Sequence, residues 1–222
     1  DSSPTGCCVR FPEAGIPMPK WFNTAGPCRP DDHYMLPPER RLAGVDQLVA
    51  RKQYFVVHAP RQTGKTTAVR AFCDRLNAEG QYVALYVNVE AAQVAGGDVE
   101  LGMQTILAAL RLESEGQLPP ESRPAIPSLA TAPLQALRVA LIDWALRCPR
   151  PTVLFLDEID ALHDETLLST LRQLRSGYVE RPERFPQSIA LVGLRDVRDY
   201  KARVRPESQS LGTASPFNII TR

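Results

Sequence analysis

The sequence predicts a three-layer α/β fold with a mostly parallel sheet, and two observations carry that expectation. Short apolar runs rich in branched and aromatic residues recur at 54–58, 82–89, 152–156 and 188–194. Runs of that kind, bounded by turn residues, read as strands buried on both faces. Between them lie amphipathic stretches long enough for crossover helices, the pattern of a βα-alternating chain.

Length and composition set the frame. The chain has 222 residues, enough for one domain with an appended arm. With 44% hydrophobic and 23% charged residues it resembles neither a disordered chain nor a collagen or coiled coil. A net charge of +1 supplies no global field toward nucleic acid or an anionic membrane, so neither is an expected partner. No stretch reaches the roughly 18 uninterrupted apolar residues of a membrane helix. Residues 1–15 lack the basic start and apolar run of a secretory signal, and the first of them, Asp1, reads as that of a fragment or trimmed product. Five cysteines form no CxxC pair, and Cys7, Cys8, Cys28 and His33 do not match usual zinc-ligand spacings. Reduced thiols in a cytoplasmic protein are the expectation.

Prolines divide the chain. Of the 20, eight fall in the first 38 residues, where fixed φ and missing donors oppose helix. Residues 1–38 therefore read as an extended arm, with 33–36 (HYML) as a short edge strand, and 39–222 as the core. Within the core, Leu42, Val45, Leu48 and Val49 place a helix over 39–51. A strand over 54–58 ends at Ala59-Pro60. A helix from Gly64 to about Asn77 follows, with Gly80 as its stop signal. After the strand 82–89, residues 91–97 read as small and flexible, 99–112 as helix, and 113–132 as a long polar, proline-rich loop. Pro133 suits the first turn of a helix to about Arg147. Then come the strand 152–156, a helix over 164–179, the strand 188–194 and a strand-like run from Phe217 to Ile220.

The strongest motif is APRQTGKTT, residues 59–67, directly between a strand and a helix. It fits the phosphate-binding loop with Ala59 in place of the first glycine. Such a loop, here Pro60, Arg61, Gln62, Thr63 and Gly64 onward, needs backbone N–H groups converging on an anion at a helix start. Gly64 lets the backbone approach without a Cβ in the way. Lys65 supplies a compact cation for the outer phosphates, Thr66 a hydroxyl for Mg²⁺, and Thr67 a contact to the inner phosphate. The second motif is TVLFLDE, residues 152–158. It delivers Asp157 to the C-terminal end of a strand, where an acid holds Mg²⁺ through its hydration shell. Glu158 follows as the candidate base that orients and deprotonates a water. Asp160 reads as a turn or helix cap. Together the two motifs predict a three-layer P-loop NTPase.

On these residues the chain resembles the AAA-like, additional-strand ATPases, including the signal-transduction ATPases with numerous domains. The leader FNTAGPCRPDDHYMLPPERR and the end GLRDVRDYK…SPFNI are similar to segments of bacterial AAA-like ATP-binding proteins. The resemblance implies that an extra strand separates the two motif strands, a place the strand 82–89 is expected to fill. It implies that His33, Tyr34, Met35 and Leu36 lie beside the adenine. Tyr34 and Met35 suit stacking on a base, although packing of an edge strand on the core accounts for them equally. It implies that Asn88 restrains the catalytic glutamate; an isolated Asn in a strand also suits a backbone hydrogen bond. Arg195 takes the place of a γ-phosphate sensor, with a salt bridge to Asp196 or Asp199 as its simpler role. The resemblance further implies that the chain stops before a helical lid. Arg172, Arg175, Arg181 and Arg184 are candidates for a charge donated to a neighbouring subunit.

The expected activity is Mg²⁺-dependent ATP binding with slow hydrolysis of the β–γ bond, used as a conformational switch. No NKxD-type guanine motif is present, which favours ATP. A protein partner or self-assembly is compatible with this reading. The alternative is a non-hydrolysing ATP-gated scaffold, against which the intact Asp157-Glu158 pair argues.

Overall fold

The computed structural model describes residues 19–24, 28–29, 31–34, 41–60, 62–126, 133–193 and 219–220. The chain divides into two compact units, Asp1–Leu36 and Pro37–Arg222.

In the first unit a single parallel bridge joins Trp21 to His33, where the sequence suggested a short strand. His33 organises this turn: its Nδ1 accepts from the Arg29 amide at 2.8 Å and its ring meets Trp21 edge-on at 4.9 Å.

The second unit is built on a five-stranded parallel sheet. Its strands are β1 (Phe55–His58), β2 (Val83–Asn88), β3 (Thr152–Asp157), β4 (Ser188–Gly193) and β5 (Ile219–Ile220), in the order β2-β3-β4-β1-β5. The helices are α1 (Val45–Ala50), α2 (Lys65–Glu79), α3 (Val99–Gln117), α4 (Pro133–Arg147) and α5 (Asp164–Ser176). Because side chains alternate across a strand, the sheet buries two separate cores. Val56, Leu85, Leu154, Leu156 and Leu191 face α3, α4 and α5. Phe55, Ala84, Tyr86, Phe155 and Val192 face α1 and α2. This is the three-layer α/β P-loop NTPase arrangement.

Several boundaries differ from expectation for physical reasons. Helix α1 starts only at Val45, because Gly44 at φ 85° breaks the turn before it. Helix α3 runs five residues past Leu112, to Gln117, because Leu110 and Ser114 are still buried there. Pro120–Ser122 then forms one 3₁₀ turn. Much of 91–97, expected to be flexible, falls in another 3₁₀ segment, Glu90–Ala95, with Ala92 and Ala95 buried. Helix α5 stops at Ser176, before a 3₁₀ turn, Tyr178–Glu180.

One lateral placement is a correction. The strand between β1 and β3 is β4, not β2, which lies at the sheet edge beyond β3. Strands β2 and β4 are both continuous apolar runs, so hydrophobic pattern alone does not rank them by position. The open edge of β2 is closed by side chains instead. Asn77 pairs with both backbone groups of Ala84, at 2.8 and 2.9 Å. Gln117 does the same for Tyr86, at 2.8 and 3.0 Å. These amides stand in for a neighbouring strand and blunt an exposed edge.

Candidate functional site

Strand β1 hands the chain to the 59–64 loop, and α2 begins at Lys65. Gly64 precedes the helix at φ 78°, a left-handed conformation that costs glycine little. Gln62, at φ 60°, shares that region without glycine's freedom. Thr63 closes the loop on itself, its hydroxyl donating to the Pro60 carbonyl at 2.9 Å. The ammonium of Lys65 folds back over the loop, donating to the carbonyls of Ala59 at 2.6 Å and Pro60 at 3.0 Å. Arg41, from the turn before α1, donates to the Thr63 carbonyl and lies against Gly64.

Strand β3 brings Asp157 to the start of α2. Its carboxylate is fully buried, and Oδ2 accepts from the Thr66 hydroxyl at 2.8 Å. The same oxygen accepts from the Tyr86 hydroxyl at 2.9 Å. Oδ1 accepts from the Glu158 amide at 2.9 Å. Glu158 itself turns off the strand end at φ 58°, which aims its N–H back at Asp157. Its carboxyl is half-buried and its pKa is raised, first by burial and then by the negative charges of Asp157, Asp160 and Glu90. Lys65 opposes that shift.

Beside the loop opens a cavity of about 320 Å³. Leu42, Val45 and Val57 give it apolar walls, and Arg41, Thr63 and Lys65 line its polar end. An apolar hollow with a few convergent polar groups is the usual form of a small-molecule site.

The structure thus gathers Pro60, Gln62, Thr63, Gly64, Lys65, Thr66, Asp157 and Glu158 at one end of the sheet, with Thr67 in the first turn of α2. Arg61 and Arg195 lie outside the described residues, as do Met35, Leu36, Asp196 and Asp199. Tyr34 belongs to the first unit, where its ring lies 5.1 Å from that of Phe22. Asn88 pairs in register with Asp157, but its side-chain oxygen accepts from the Glu90 amide at 2.7 Å. That is the backbone role, not a hold on Glu158. Asp160 stands inside the 3₁₀ turn Ile159–Ala161, against Gly193, rather than at a cap position. Arg181 lies over the Tyr178 ring at 3.5 Å and donates to the Lys52 carbonyl, at the end of β1 away from the loop. Arg172, Arg175 and Arg184 are exposed. Sequence reasoning missed Tyr86 and Arg41. The only signal for Tyr86 was a phenol two residues before a strand end, in a run read as wholly buried.

The AAA domain profile matches residues 49–200 of the chain. The chain belongs to the AAA domain family. As an AAA domain it is a nucleotide-binding module, and the matched span covers both the 59–64 loop and Asp157-Glu158. Among solved structures it is similar to a chain of the Drosophila ORC bound to poly(dA/dT) DNA and Cdc6, at 11% identity and a TM-score of 0.49. That alignment covers 76% of this chain, which spans 26% of the other. No curated protein matches this AAA domain. No helix among its described residues is long and apolar enough to cross a membrane.

Proposed function

We propose that this AAA domain binds ATP with Mg²⁺ and hydrolyses it slowly, the cycle serving as a conformational switch of the kind found in the signal-transduction ATPases. The observation that carries the reading is the 2.8 Å contact between the Thr66 hydroxyl and the buried Asp157 carboxylate, next to Lys65. Two hard oxygen donors side by side suit Mg²⁺, which keeps several waters and takes few protein ligands. When bound, that cation offsets the negative charge of the phosphate oxygens.

The chain's own groups do the rest. Backbone N–H groups from Arg61 to Thr67 bind the phosphates, with Pro60 setting the loop's exit from β1. Lys65 exchanges its two carbonyl partners for the outer phosphates, and the Thr67 hydroxyl takes the inner one. The cavity beside Leu42, Val45 and Val57 receives the base. Arg195 reads the γ-phosphate. Glu158 orients a water and accepts its proton, and a raised pKa makes its ionised form a stronger base. Cys73 and Cys148 are free thiols, and burial pushes both up, Cys148 to about 11, which lowers their reactivity.

Calorimetric titration with ATP in Mg²⁺ and in EDTA tests this. Binding that strengthens with Mg²⁺ supports the reading. Binding indifferent to Mg²⁺, or no binding, contradicts it.

A further inference from the structure

We propose that Tyr86 is a positioning residue for the metal-binding carboxylate, clamped in turn by Arg70 from α2 and by Glu113 and Gln117 from α3. The proposal rests on the Mg²⁺·ATP reading above and deepens it.

Register and periodicity bring the groups together. Tyr86 pairs with Phe155 and Asn88 with Asp157, so Tyr86 is the diagonal neighbour of Asp157 on the same face of the sheet. A diagonal of about 7–8 Å is within reach of an aromatic side chain. The phenol bridges it with a 2.9 Å hydrogen bond to Oδ2. An ionised carboxylate has no donor, so the tyrosine donates. An aspartate carboxylate turns about a broad, roughly two-fold torsion, and its plane is set by the donors around it. Among the described residues Asp157 has three donors: Thr66, Tyr86 and the Glu158 amide. Thr66 is itself a candidate metal ligand, and Glu158 a candidate base. Tyr86 alone among them has no other task in the proposed chemistry.

The tyrosine is itself held firmly. Its side chain is fully buried, and burial together with the Asp157 charge raises its pKa, which keeps it a donor. Arg70 lies one turn after Thr66 on α2, its guanidinium carbon 4.3 Å from the Tyr86 ring centroid. Arg70 also pairs with Glu113 at 3.4 Å. Glu113 accepts from Gln117 at 2.7 Å, and Gln117 holds both backbone groups of Tyr86. One face of α2 therefore bears on both partners, through Thr66 on Asp157 and through Arg70 on Tyr86. The last turn of α3 fixes the arrangement from outside.

The test compares ATP affinity in Mg²⁺ and in EDTA for the whole chain and for Tyr86→Phe, which removes one oxygen and keeps the ring. Affinity in EDTA should stay within about twofold of wild type. The gain in affinity on adding Mg²⁺ should shrink about tenfold, which is about 1.4 kcal/mol. Arg70→Ala, at a partly exposed position, should shrink the same gain about two- to threefold. Asp157→Asn is the reference and should abolish the gain. If Asp157→Asn abolishes the gain while Tyr86→Phe keeps it whole, the positioning role is overturned and the metal reading stands. If Tyr86→Phe weakens binding equally in Mg²⁺ and in EDTA, its role is general packing and the proposal is overturned. If Asp157→Asn keeps the gain, the metal reading falls and this proposal falls with it.

Discussion

The ammonium of Lys65 lies 2.6 Å from the carbonyl oxygen of Ala59, six residues back along the chain. Its second partner, the Pro60 carbonyl, belongs to the same loop. Lysine thus holds the loop in shape with two of its three donors, and both carbonyls are replaceable by phosphate oxygens.

Lys65→Ala removes the cation that faces the outer phosphates. Truncating one partner of such a charge-assisted contact costs about 2–5 kcal/mol. ATP affinity should fall at least about 30-fold, at the lower end of that range. Calorimetry of the variant reads this directly, and an unchanged affinity would remove the phosphate-loop assignment.

Glu158 gives a prediction with a sign. Its pKa in the folded protein is raised above the ordinary 4.5, so folding makes ionisation of this carboxyl less favourable. The resulting cost is absent below the unfolded pKa and fully present above the folded one. Glu158→Gln removes the ionisable group and keeps the shape. The variant should therefore melt at a higher temperature than wild type at pH 7, and the difference should fade as the pH falls below about 4. Thermal melts of both proteins across that range check it. A variant less stable than wild type at pH 7 would mean that the carboxylate is held by contacts stronger than the surrounding charge.

Asn77 and Ala84 give a prediction about the sheet edge. The Asn77 amide satisfies both backbone groups of a fully buried residue. Each group left unpaired costs about 1–3 kcal/mol, with water reaching the edge keeping the sum toward the low end. Asn77→Ala should lower stability by about 2–3 kcal/mol in urea unfolding, with the slope unchanged. A loss under about 0.5 kcal/mol would show that water replaces the amide without penalty.

Local chemistry was legible where one residue type dictates one conformation. Pro133 opened α4 at its observed first residue, and Gly80 ended α2 at φ 74°. The two motifs lay at the expected strand-loop-helix and strand-end positions because each depends on residues adjacent in sequence. Lateral order was not legible. Strand β4, not β2, separates β1 from β3, and the feature marking β2 as an edge is a pair of amides from two different helices. The same limit hid Tyr86. Its significance lies in a diagonal contact to Asp157 across 71 positions, which no periodicity within either strand encodes. The end of α3 was misjudged because polar residues such as Glu113 and Gln117 read as loop. Both are occupied with Arg70 and Tyr86.

The most direct test of the central claim is release of inorganic phosphate from ATP by the whole protein, in Mg²⁺ and in EDTA, beside Glu158→Gln. Loss of a general base costs about 10²-fold or more, while this glutamate is not a metal ligand in the scheme. Wild type should release phosphate slowly and only with Mg²⁺, Glu158→Gln at least about 100-fold more slowly, and Mg²⁺·ATP affinity should be unchanged in the variant. Equal rates in wild type and variant, or no release by wild type under conditions where ATP is bound, would contradict the claim and leave a nucleotide-gated scaffold.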